Sequence, residues 1–169
     1  MPAIIGLIGK SGSPCIKLRI EGTFPGSGQE FEVTVDTGFT GFISMPIMSA
    51  LPLGLALYGT TKVTFGDGNT VSRFTALGVA HLSGVQKAGV IILEPNTSTI
   101  LVGMAFLTAF EQTVLMHRGV LILIDQSDAD KAIPLQIIED LKTSAAALEN
   151  AKQAQADSAL KTDPESPIN

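Results

Sequence analysis

The chain has 169 residues, 45% of them apolar, which suffices for one domain with a buried core. A net charge of −5 argues against nucleic acid as a partner. The single cysteine, Cys15, rules out an internal disulfide, and His81 and His117 lie too far apart for metal-ligand spacing, so neither a metal nor a cofactor is expected. The charge is uneven: residues 1–124 hold seven acids and seven bases, while residues 125–169 hold nine acids and four lysines. That break predicts a compact domain over 1–125, a helical appendage over 126–160 and an unstructured tail over 161–169. The apolar run from Ala3 to Ile8 has no basic segment before it, and no run nears the ~20 residues that cross a bilayer. A cytoplasmic protein with no membrane partner is expected.

In chain order, Ile4 to Ile8 reads as a short strand. Ile16, Leu18 and Ile20 alternate with Lys17, Arg19 and Glu21, the period of a strand with one buried face. Gly22 to Gly28 is a turn region, and Phe31, Val33 and Val35 then alternate with Glu32 and Thr34. Residues 15–35 therefore form a β-hairpin that ends in Asp36-Thr37-Gly38. An acid after an apolar strand, followed by a small hydroxyl residue and a glycine, presents a carboxylate in a tight loop rather than continuing a sheet.

Phe42 to Met45 is a short apolar segment, and Pro46 suits the first position of a helical turn reaching Leu51. Leu55 to Tyr58 reads as a short strand. Thr61 to Phe65 and Thr70 to Leu82 are strands joined by Gly66-Asp67-Gly68-Asn69, in which Asp67-Gly68 favours a tight turn. Val85 to Leu93 follows, with Val90-Ile91-Ile92-Leu93 apolar enough for burial on both faces. Ile100-Leu101-Val102 meets Gly103 and switches to helical spacing, which puts Met104, Leu107 and Phe110 on one face. Val114 to Met116 and Val120 to Ile124 flank a turn at His117-Arg118-Gly119. Ile133, Ile137 and Leu141 then recur at helical spacing.

The stretch Phe31 to Pro46, centred on Asp36-Thr37-Gly38, resembles the active-site loop of the single-domain retropepsin-like aspartic proteases. Leu101-Val102-Gly103-Met104-Ala105-Phe106-Leu107 resembles the second hallmark of that family, most closely its bacterial type. Gly66 to Asn69 sits where the family's substrate-covering flap has its tip. The resemblance covers residues 14–125. It implies a mainly β fold, a closed acid-protease barrel with one short helix after Gly103. Two positions depart from the pattern. Ala105 stands where an acidic or amide residue is common, and Phe39 where retroviral enzymes carry a small residue.

The resemblance implies that Asp36 is the catalytic acid and base, with Thr37 and Gly38 completing its loop. It also implies that Phe39, Thr40, Gly66, Asp67, Gly68 and Asn69 contact a peptide substrate. Aspartic proteolysis needs two carboxylates sharing one proton, one removing a proton from water and the other donating to the peptide carbonyl. The sequence offers one Asp-Thr-Gly and no internal repeat, so the second Asp36 must come from a second copy in a C2 homodimer. The alternative is a non-catalytic dimerisation or peptide-binding module on the same scaffold. In either case the apolar stripe of the appendage is available to mask the cleft or the dimer face.

Overall fold

The computed structural model describes residues 3–9, 12–24, 26–64, 66, 68–117, 119–132, 143, 146–147, 150–151 and 153. The chain divides into two units, Met1–Gln126 and Ser127–Asn169. The first is built from strands: β1 (Ile4–Ile8), β2 (Pro14–Glu21), β3 (Gln29–Val35), β4 (Ile43–Pro46), β5 (Ala56–Thr64), β6 (Thr70–Leu82), β7 (Val85–Glu94), β8 (Leu101–Val102), β9 (Gln112–His117) and β10 (Val120–Asp125). Short helices interrupt them: α1 (Ile47–Ala50), continued by a 3-10 turn at Leu51–Leu53, and α2 (Met104–Ala109). A last helix, α3 (Gln126–Ala132), begins at the end of this unit. Of the second unit, Ser127–Ala132 and six separate positions from 143 to 153 are described, and all are helical. The stripe at Ile133, Ile137 and Leu141 and the tail over 161–169 lie outside the described residues. Among the described residues no helix is long and apolar enough to cross a membrane, which says nothing of strands.

The ten strands form one sheet in the order β5-β6-β7-β4-β8-β3-β2-β1-β10-β9, and β6 pairs again with β2 through Arg19↔His81 to Glu21↔Val79. The strand alternation decides the faces. Ile16, Leu18 and Ile20 of β2 and Val33 and Val35 of β3 are buried, whereas Lys17, Arg19 and Glu32 point outward. β2 and β3 pair antiparallel from Cys15↔Thr34 to Ile20↔Gln29, the hairpin expected from their period. β9 and β10 pair likewise, and β10 also pairs with β1.

Three details differ from the sequence pattern. Ala56 to Thr64 is one strand with an irregularity between Leu57 and Gly59, not two segments. Pro46 closes β4 and caps α1 from outside, rather than opening the helix. In α2 and at its C-cap it is Phe106, Leu107 and Phe110 that are buried, while Met104 is 42% exposed. The six-residue helix is too short for its own periodicity to dictate its face. The Phe106 ring instead packs between Phe42, with centroids 5.5 Å apart, and Phe110, at 4.6 Å. Full burial of such a ring stabilises the fold by roughly 2–3 kcal/mol.

Candidate active site

Asp36 leaves the end of β3 at a saddle of three strands. The two-residue strand β8 lies between β3, which it joins in parallel through Val35↔Val102, and β4, which it joins antiparallel through Ile43↔Val102. The strands on either side of the Asp36 loop are thus bridged by a segment far along the chain. The Asp36 N–H donates to the Val102 carbonyl at 2.9 Å, which continues the ladder by one rung. The chain then turns. Phe39 N–H donates back to the Asp36 carbonyl at 3.2 Å, and Gly38 N–H donates to Asp36 Oδ1 at 2.9 Å. This is the local side-chain-to-backbone bond that Asp forms best, and it fixes the carboxyl orientation from within the loop.

The loop is also held from below by α2. A helix start leaves N–H groups without partners inside the helix. Here the loop carbonyls supply them: Gly103 N–H donates to Phe42 O at 3.2 Å, Met104 N–H to Phe39 O at 2.8 Å and Ala105 N–H to Thr40 O at 3.3 Å. No side-chain cap is present at Gly103, and none is needed. A Cβ at Gly103 would collide with the Phe39 and Gly41 carbonyls, so only glycine permits this approach. The same bonds account for the tolerance of Ala105, whose contact with the loop runs through the backbone that every residue has.

Asp36 and Gly38 line a cavity of about 440 Å³ together with Phe39, Gly66 and the inward side chains of β4 to β8. A second cavity of about 490 Å³ is lined by Gly38, Phe39, Thr40, Gly41 and Phe42 from the loop and by Thr61 to Thr64, Val90 and Ile92 opposite. Gly38, Phe39, Val63, Thr64 and Ile92 border both, so the two cavities adjoin along the loop and the strands opposite. The Phe39 ring lies over Gly41, at the place a Cβ would occupy. Thr37 points elsewhere: it is exposed and lines a third hollow with Met104, Leu107 and Thr108 of α2 and Gln112 to Val114 of β9.

The candidate residues are therefore brought together in part. Asp36, Gly38, Phe39, Thr40 and Gly66 line one or both of the two adjoining cavities. Gly68 and Asn69 lie in the β5–β6 turn but line neither cavity, and Gly68 has φ +83°, the left-handed region expected of that turn. Asp67 lies outside the described residues.

Several lining residues carried no signal in the sequence pattern. Val90 to Leu93 is not buried on both faces: Ile91 and Leu93 enter the core, while Val90 and Ile92 face the cleft. Arg73 of β6 and Glu94 of β7 line the same cavity as Asp36, and Arg73 Nε donates to Glu94 Oε2 at 2.7 Å. Glu94 is the one other acid among the described residues lining that cavity, and it is engaged by a cation. Only the cross-strand register links residues 73 and 94, which sequence spacing does not reveal.

No family model and no curated protein sequence matches the chain. Solved structures do. A retropepsin-like aspartic protease from Rickettsia conorii matches with a TM-score of 0.52 at 19% identity, over 72% of this chain and 89% of that one. The EIAV protease, solved in complex with the inhibitor HBY-793, matches with a TM-score of 0.51 at 14% identity, over 64% of this chain and 97% of that one. The chain has a mainly β, retropepsin-like fold.

Proposed function

We propose that this chain is an aspartic endopeptidase that hydrolyses peptide bonds as a C2 homodimer, with one Asp36 from each subunit. The observation that carries the reading is the seat of Asp36. It stands in a glycine-locked loop at the foot of a cleft walled on the far side by a β-hairpin, in a retropepsin-like fold. On this reading residues 1–125 are the protease domain, and the strand circuit closed by β6 and β2 is the barrel of that family. The β5–β6 hairpin is its flap, and residues 126–160 are a helical appendage.

The chemistry requires the second subunit. A lone carboxylate cannot act as base toward water and acid toward the peptide carbonyl in the same step. Glu94, paired with Arg73, is not available to share a proton with Asp36. Two Asp36 groups meeting on a symmetry axis share one, because like charges a few ångströms apart do not both ionise. The ionised carboxylate takes a proton from water as the oxygen attacks the peptide carbon, and the protonated one donates to the carbonyl oxygen. On this reading Thr37, exposed beside α2 and β9, makes the contact across that axis. Phe39, Thr40 and Gly66 contact the peptide in the two adjoining cavities, and Gly68 and Asn69 set the hairpin turn.

Asp36→Asn tests the reading. It preserves the Oδ1 acceptor for Gly38 N–H, so folding and sedimentation should be unchanged while hydrolysis of a denatured protein substrate is lost. Full residual hydrolysis would refute the assignment. The bulky Phe39 beside Asp36, lining both cavities, favours, as a second reading, a peptide-binding module without catalysis. A native protein that binds peptides, dimerises and cleaves none of them would establish it.

A further inference from the structure

The hairpin that walls the cleft changes its support partway along its length. β6 pairs with β5 from Leu77↔Ala56 to Thr70↔Thr64, but with β7 only from Leu82↔Val85 to Phe74↔Leu93. Beyond Phe74, residues 70–73 pair only with residues 61–64 among the described residues, and the arm is a two-stranded ribbon. Such a ribbon lacks the third strand that gives independent stability, so its direction is set where it leaves the sheet. At that place stand Arg73 and Glu94, one position past the last β6–β7 rung, bonded at 2.7 Å with side chains 20% and 14% exposed. A second bond, from Arg73 Nη1 to the Ser72 carbonyl at 3.3 Å, ties the guanidinium to the arm's own backbone. The arm delivers Val63, Thr64 and Gly66 to the cavity that holds Asp36, and both members of the pair line that cavity.

We infer that Arg73 and Glu94 are positioning residues: their ion pair clamps the root of the β5–β6 arm to β7 and so sets how the arm meets a peptide above Asp36. The inference rests on the protease reading for its kinetic consequence, but not for its structural one. The clamp is specific to arginine. A planar guanidinium joins Glu94 and its own strand at once, whereas a lysine ammonium offers a point charge on a flexible stem.

Hydrogen exchange of the native protein and of Arg73→Lys, Arg73→Met and Glu94→Gln, without substrate, reads the clamp directly. Amides of 61–64 and 70–73 should exchange faster in all three variants, with β2 and β3 unchanged. With a peptide substrate, kcat/KM should fall about tenfold and most of the loss should lie in KM, the size expected of a pair between exposed and buried. The exchanged pair, Arg73→Glu with Glu94→Arg, should recover much of both effects. Unchanged exchange in the arm, an increase spread evenly through the strands, or an exchanged pair no better than its single variants would each overturn the clamp. A native protein that hydrolyses nothing refutes the protease reading, and the exchange data still decide this one.

Discussion

The two walls of the cleft are held by opposite means. On one side the Asp36 loop is fixed by backbone: a bond to Val102, an internal turn, and three N–H groups from the start of α2 received by its carbonyls. On the other side the β5–β6 arm is a two-stranded ribbon anchored by side chains at Arg73 and Glu94. The first wall admits almost no adjustment, because a glycine stands where any side chain would strike two carbonyls. The second can pivot with little loss of core contact. On the protease reading, the carboxylate that must meet its substrate within fractions of an ångström is on the first wall, and the surface that must yield to admit a peptide is on the second.

The largest effect is expected at Gly103. Gly103→Ala places a Cβ against the Phe39 and Gly41 carbonyls and should cost about 3 kcal/mol or more, read as a lower urea midpoint with an unchanged slope. Native stability in that variant would mean that the loop is as adaptable as the arm. A smaller effect is expected at Phe39, which belongs to the rigid wall but is only half-buried. Phe39→Ala should cost roughly 1–2 kcal/mol and join the two cavities, and on the protease reading cleavage should shift toward bulkier side chains in a peptide library.

The smallest effect concerns the other end of β6. There Glu21 accepts from Gly26 N–H at 2.7 Å and faces His81 Nε2 at 3.0 Å. The Gly26 bond is the main cause holding the Glu21 carboxyl below its ordinary value of 4.5; burial opposes it, and Arg19 and His81 assist. A depressed carboxylate stabilises the fold above its unfolded pKa and loses that contribution as pH falls through the folded value. The native protein should therefore exceed Glu21→Gln slightly in urea midpoint near about pH 7, and the gap should close as acid protonates the folded-state carboxyl. A gap that widened with acid would reverse the sign and remove this tie from β6.

How much of this was legible in the sequence follows from how far apart the interacting residues are. The hairpins of β2–β3, β5–β6 and β9–β10 were readable because alternation and turn residues are local. Asp36-Thr37-Gly38 announced itself for the same reason, since a carboxylate after Val33 and Val35 breaks the pattern in place. The seating of the loop was not readable in full. Leu101-Val102-Gly103 showed a strand ending at a glycine, but its insertion between β3 and β4 is a non-local pairing. The Arg73–Glu94 pair was hidden by the same cause, because only the β6–β7 register brings the two together. The cleft-facing positions of Val90 and Ile92 are hidden too, because apolar side chains facing a cleft and facing a core look alike in a sequence.

The insertion of β8 between β3 and β4 also sets the order in which the molecule can be assembled. A chain growing from its N-terminus carries Asp36 early, but the parallel rung from Val35 to Val102 and the α2 start at Gly103 arrive only after β7 is complete. Closing so long a segment is entropically slow, and parallel pairing of distant strands is among the later events of folding. Until then the loop lacks the bonds from Val102 and the start of α2 that seat it. Any chemistry that depends on its orientation is therefore timed by residues 101–105, and a nascent or truncated chain that stops short of them carries the acid without its geometry.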